Sequence, residues 1–166
     1  MEIAAKWDEP AIRVLMMPRD TNAHGTIFGG VILSYIDQAG AIEARRQGCR
    51  FMVTVSMDKV VFHEPVFVGD LISFWTETVR VGTTSITVKV TCEAIRGNNP
   101  DEKVVVTEAV VVYVNVGKDR KPEKIQRKAN EYSEGTLDFE IQSSLAFFIF
   151  SSLSRISRSN PASFGS

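Results

Sequence analysis

The sequence predicts an α+β domain, an antiparallel sheet with one long helix lying across its face. Three observations predict it. One stretch alone, Val31 to Gly48, repeats its apolar residues at helical spacing. From Phe51 to Val116 the apolar period changes to two. The strands so marked are joined by short connections, and short connections pair strands antiparallel. Such a sheet needs a cover for its apolar face, and a single long helix supplies it.

The elements follow in order. Ala11 to Met17 is a short strand candidate stopped by Pro18, and Arg19 to Thr26 is a polar loop by its turn chemistry. Ile27-Phe28-Gly29-Gly30 leads into the helix. The helix ends at Gly48, with Arg45 and Arg46 in its last turn, where cations complement the macrodipole. Phe51 to His63 and Val66 to Val68 are strand-like, broken at Glu64-Pro65. Asp70 to Val81 alternates, with Leu71, Ser73, Trp75 and Val79 on one side. Gly82-Thr83-Thr84 is a tight turn. Ser85 to Arg96 alternates cleanly, with Ile86, Val88, Val90, Cys92 and Ala94 on one face. After a turn at Gly97 to Asp101, Lys103 to Val116 is a valine-rich strand buried on both faces near its centre. The order is one strand, one helix, then at least four strands in a meander. Residues 1–128 form this domain. Residues 129–166, serine-rich with an apolar patch at Leu145, Phe147 and Phe148, are expected to be a weakly structured appendage or a terminal helix.

The 166 residues, 44% hydrophobic and 23% charged, suffice for one domain with a single core. Nineteen Lys+Arg against twenty Asp+Glu leave a net charge of −1, so no global cationic field exists to bind nucleic acid or anionic lipid. Any anionic ligand must be held by a local patch. Cys49 and Cys92 fit neither a CxxC nor a zinc spacing, and with only His24 and His63 a histidine-rich metal site is not expected. Residues 1–12 carry acids and no apolar core of signal-peptide length. The late run Leu145 to Phe150 falls far short of the roughly 20 residues that span a bilayer. A soluble protein of the reducing cytoplasm is expected.

The helix carries the chemistry. Ile32, Tyr35, Ile36, Ala39 and Ile42 form a broad apolar face for the sheet. Asp37 points roughly the opposite way, among Gly30, Leu33, Ser34, Gly40, Ala41 and Ala44. A solvated face normally shows Lys, Glu and Gln, whereas glycine and alanine let another surface approach. The second side is therefore expected to meet another subunit or a ligand. An aspartate there costs free energy to desolvate, as a catalytic carboxylate does. The alternative is that Asp37 is a partly exposed helix residue or pairs with Arg45 or Arg46, and spacing leaves both readings open. Just upstream, Gly25, Gly29 and Gly30 leave backbone N–H groups accessible at a helix start, which favours negative charge developing on an oxygen. The same Gly29-Gly30 pair would also serve plain close packing.

Taken together, Met17 to Asp37 resembles the acyl-CoA thioesterases of the hot-dog fold, above all the bacterial broad-specificity acyl-CoA hydrolases and the brain-type cytosolic acyl-CoA hydrolases. The pattern P-x-D-x-N-x-x-G-x-x-F/H-G-G-x-x-L-x-x-(M/I)-D is long and specific. Val53 to Asp58, Pro65 to Asp70, Val81 to Ser85 and Lys121-Pro122 also follow it, so the resemblance covers about Ile12 to Pro122. It implies a hot-dog fold, an antiparallel sheet wrapped around one central helix. It implies active sites at a dimer interface and dimers that often build trimers of dimers, hence a hexamer. It matches Asp37 to the catalytic acid, Asn22 to the catalytic asparagine and Gly29-Gly30 to the glycine-rich helix start. Asn22 and Asp37 need not act from one subunit.

The expected activity is hydrolysis of acyl-CoA to free fatty acid and CoA, with no cofactor beyond the CoA of the substrate. Asp37 acts as general base on water or as nucleophile, and Gly30 with Gly29 polarises the thioester carbonyl. Asn22 orients water or carbonyl. His24 is either a loop residue bonded to backbone or a direct participant, and His63 is structural. For the CoA phosphates the candidates are the Gly82-Thr83-Thr84-Ser85 turn, Lys59, Arg80, Lys118 and Lys121. The basic run Lys118 to Lys128 reads equally as a solvated segment. A dehydratase would need a helical His beside the acid, which this helix lacks. A non-catalytic acyl-CoA sensor on the same fold is the remaining alternative.

Overall fold

The computed structural model describes residues 8–126. The elements are β1 (Ile12–Leu15), a 3-10 turn (Pro18–Asp20), α1 (Gly29–Arg46), β2 (Met52–Phe62), β3 (Leu71–Val81), β4 (Ser85–Arg96) and β5 (Asn99–Asn115). Their order matches the expected α+β architecture. The expectation for residues 129–166 lies outside the described residues.

The five strands form one antiparallel sheet in the order β1-β3-β4-β5-β2. Only β3, β4 and β5 are a meander. The second strand does not pair with the third, as a simple meander would have it, but with β5 at the far edge. Residues 66–68, expected as strand, belong instead to the connection that carries the chain from one edge to the other. Alternation reports which face a residue occupies and is silent on which strand lies beside it.

The core sits between α1 and the inner sheet face. On β4, Ile86, Val88, Val90, Cys92 and Ala94 are all buried, as their alternation requires. On β5, Val106, Ala109, Val111 and Tyr113 are buried, while Val110, Val112 and Val114 are half-buried, so burial on both faces is incomplete. Edge strand β2 needs two bulges, between Thr54 and Ser56 and between Asp58 and Val61. With them Met52, Met57 and Val60 all reach the core despite uneven spacing. Lys59 sits in the second bulge at φ 52, a left-handed conformation that glycine adopts more readily.

The helix face is rotated from its expected position. Ile32, Ile36 and Ala39 are buried, but so are Gly40, Glu43 and Ala44, whereas Ile42 is exposed. Gly40 lies against β5: a Cβ there would overlap the Tyr113 hydroxyl. Asp37 therefore stands on the flank of the buried face, about 100° of arc from its centre, and not opposite it. The outward side is Gly30, Ser34, Gln38 and Ala41, and none of these is buried. The helix closes at Gln47, and Gly48 takes φ 98, the C-terminal glycine that its sequence announces.

Candidate active site

Asp37 is half-buried beside edge strand β2. The Thr54 hydroxyl donates to Asp37 Oδ1 at 2.7 Å. Tyr113 Oη donates to the Asp37 backbone carbonyl, also at 2.7 Å. Burial pushes the Tyr113 phenol well above its usual range, so this group stays a neutral donor. Among the described residues no Lys or Arg pairs with Asp37. Arg46 stands instead 3.6 Å from Glu43. The expected alternative of an ion pair at the helix end is thereby settled against. Thr54 was not legible in the sequence. Its one signal is a hydroxyl amid Met52-Val53-Thr54-Val55, and nothing local says that this hydroxyl meets a helix seventeen residues back.

Phe28, the residue before α1, is extended (ψ 126) and provides no side-chain cap. Val31 N–H donates to Phe28 C=O at 2.9 Å, but among the described residues no acceptor outside the helix meets the N–H of Gly29 or Gly30. Two donors are thus left at the positive end of the macrodipole. Their position is over-determined. Phe28 N–H donates to Asp20 C=O at 2.8 Å and Ile27 N–H to Val66 C=O at 2.8 Å. The segment carrying Val66 is clamped in turn. Arg96 Nη1 donates to Pro65 C=O and to Asp70 Oδ2, both at 2.8 Å, and Gly97 N–H donates to Asp70 Oδ1 at 3.1 Å. Both ionised groups are nearly sealed, and such a pair holds its surroundings rigidly because breaking it leaves a buried charge.

Asn22 has work of its own. Its Oδ1 accepts from His24 N–H at 2.8 Å and Thr26 N–H at 3.3 Å, and its Nδ2 donates to Thr26 Oγ1 at 2.8 Å. The amide oxygen is committed to the loop, and one Nδ2 hydrogen is left to donate outward. No hydrogen bond joins Asn22 to Asp37 among the described residues. His24 is exposed near the loop tip, beside Gly25 at φ 79. His63 Nε2 stands 3.4 Å from Glu108 Oε2 on the sheet.

The expected phosphate contacts divide. Gly82 N–H is spent on Ser85 C=O at 2.7 Å within the hairpin, so it is not the free donor that the turn sequence suggested. Thr83 C=O accepts from Ile125 N–H and Thr84 C=O from Asn115 N–H. Asn115 Nδ2 donates to the Glu123 and Lys124 carbonyls. These bonds lay residues 116–126 along the sheet end and bring Lys124 beside Gly82 and Thr83. An adjoining cavity of about 670 Å³ is lined by Arg50, Phe51, Asn115, Lys118, Lys121 and Lys124, among others. Lys121 and Lys118 thus belong to one recess, whose four cations are partly offset by Asp119, 3.9 Å from Lys121, and Glu123. Arg80 is exposed near the end of β3, and Lys59 lies in the β2 bulge; neither lines it. Among the described residues no group of three or more His, Cys, Asp or Glu could hold a metal, and no helix is long and apolar enough to cross a membrane.

Comparison with known proteins bears on the family and the fold. Residues 24–99 match the Thioesterase superfamily. The chain is similar to the acyl-CoA thioester hydrolase YciA of Salmonella typhimurium, 39% identical over 116 residues that cover 69% of this chain and 87% of that protein. It is also similar to Cj0915, a hexameric hotdog fold thioesterase of Campylobacter jejuni, at 49% identity and a TM-score of 0.67, covering 71% of this chain and 90% of that one. A third likeness is to HI0827, a hexameric broad specificity acyl-coenzyme A thioesterase, with 32% identity, TM-score 0.68, and 86% and 93% of the two chains covered. The chain belongs to the hot-dog acyl-CoA thioester hydrolases of the YciA and HI0827 type, and its reaction is the hydrolysis of an acyl-CoA thioester.

Proposed function

We propose that Asp37 is the reacting carboxylate of this hydrolysis and that the N–H groups of Gly29 and Gly30 hold the thioester oxygen. One observation carries the reading: among the described residues the carboxylate has a single side-chain donor, Thr54, and no cation. Thr54 orients Oδ1 and leaves Oδ2 open. As general base, Asp37 takes a proton from water while the water oxygen bonds to the thioester carbon. The carbonyl electron pair moves onto the oxygen facing the helix start. Collapse breaks the C–S bond, and the thiolate recovers the proton from Asp37. As nucleophile, Asp37 would bond to the same carbon and expel the thiolate, and water would then open the mixed anhydride. The residues present serve either course.

Gly30 and Asp37 lie about 10 Å apart along one helix axis, at 1.5 Å per residue. A carbonyl held at hydrogen-bond distance by the glycines is poorly placed for the carboxylate of the same helix. The outward stripe of Gly30, Ser34 and Ala41 suits a second copy of the chain, whose Asp37 would face these glycines. A homo-oligomer, a dimer or a trimer of dimers, is therefore the working unit, in line with the hexameric relatives. Asn22 then donates its remaining amide hydrogen toward the site. Lys118, Lys121 and Lys124 offer local positive charge to the phosphates of CoA, and the hydroxyls of Thr83, Thr84 and Ser85 stand at the neighbouring turn.

Thiol release from acyl-CoA tests the reading. Asp37→Asn is expected to lose ~10²-fold or more in kcat. Undiminished turnover in that variant would remove Asp37 from the reaction, and wild-type protein that binds but never cleaves acyl-CoA would favour the sensor alternative.

A further inference from the structure

We propose that Phe28 and Phe62 are the specificity-determining residues that receive the acyl chain. The two rings come from different elements, one at the mouth of α1 and one at the end of β2, yet each borders one of the two glycines. A Cβ on Gly30 would overlap the Phe28 ring, and a Cβ on Gly29 would lie 3.3 Å from Phe62 Cζ. The rings thus border the two glycines whose N–H groups meet no acceptor outside the helix among the described residues. Both are left open to solvent, Phe28 at 58% and Phe62 at 52% exposure. Two large apolar side chains exposed at adjacent glycines suit an apolar ligand group held there.

The chemistry of the substrate selects the occupant. A thioester oxygen bound at Gly29 and Gly30 brings both substituents of its carbon within contact of these rings. One substituent is sulfur, leading to an amide-bearing arm and phosphates that need polar partners. The other is the hydrocarbon chain, which needs none. Phe28 and Phe62 carry no polar atom, so they suit the chain. Their backbones are held, Phe28 by its bond to Asp20 and the Phe62 end by His63 N–H donating to Val106 C=O at 2.9 Å. The wall is in place before substrate arrives, and only the rings adjust.

The inference rests on the glycine reading above, and its test separates the two. Thiol release is measured for wild type, Phe28→Ala and Phe62→Ala on acetyl-, butyryl- and octanoyl-CoA, with Asp37→Asn in parallel. Each methylene lying on the rings is worth up to about fourfold in kcat/KM. The alanine variants are expected to lose about tenfold or more on octanoyl-CoA and less than about threefold on acetyl-CoA. Phe28→Leu, which keeps apolar volume, should retain most of the chain-length dependence. An equal loss on all three substrates overturns the proposal. So does an equal loss accompanied by dissociation on gel filtration, which would assign the rings to a seam between copies. If Asp37→Asn stays active, the active-site reading falls whatever the profile does. If it is inactive and the chain-length profile does not move, only the acyl-wall proposal falls.

Discussion

Asp37 and Glu43 stand on the same helix, and each accepts a threonine hydroxyl at 2.7 Å, from Thr54 and Thr78 respectively. Their surroundings diverge from there. Glu43 is 1% exposed and also faces the Thr76 hydroxyl at 3.4 Å, Gln47 Nε2 at 2.9 Å and Arg46 at 3.6 Å. Its oxygens are occupied by donors from β3, an inner strand, and from the helix itself. Asp37 faces β2, an edge strand, and among the described residues retains an oxygen without a donor. The difference is one of position in the sheet. A carboxylate over interior strands is enclosed and becomes part of the core. One over the edge strand keeps the free lone pairs that acid–base or nucleophilic chemistry requires.

The contrast can be broken by substitution. Asp37→Asn should cost ~10²-fold or more in kcat with little change in melting temperature. Glu43→Ala should do the reverse. It strands the hydroxyls of Thr76 and Thr78 and opens a cavity, for a loss of about 2–4 kcal/mol in urea unfolding. Turnover per folded molecule should stay within about twofold. A large rate loss in the folded Glu43 variant would mean that the two sites are coupled. Thr54→Ala is expected to lower kcat about tenfold with KM nearly unchanged, and Thr54→Ser to restore it, because only the hydroxyl orients Asp37.

The smallest effect concerns a third carboxylate, Glu108, on β5. Lys89 Nζ stands 2.7 Å from it, and that bond holds the carboxyl below its ordinary range. A depressed native pKa adds stability above the ordinary carboxylate range that is lost as pH falls through the lowered value. Lys89→Met should therefore flatten acid unfolding slightly and leave stability at neutral pH almost as it was, since the pair is well exposed.

What the sequence determined by itself is local. The helix with its glycine pair at one end and Gly48 at the other, the alternation of β4 and the presence of Asp37 all depend on residues within a turn or a strand of one another. Their periods and end signals are written into that short span. The family pattern from Met17 to Asp37 named the reaction for the same reason, since it is contiguous. The tertiary structure decided which distant groups meet. It moved β2 to the far edge beside β5, brought Thr54 to Asp37, sealed Glu43 beneath Thr76 and Thr78, and placed Phe62 against Gly29. It also spent the Gly82 N–H and the Asn22 amide oxygen on their own turns. Strand order and helix rotation set these contacts. Both are chosen by packing of the whole core, and a one- or two-residue bulge is enough to redirect a side chain from solvent to site.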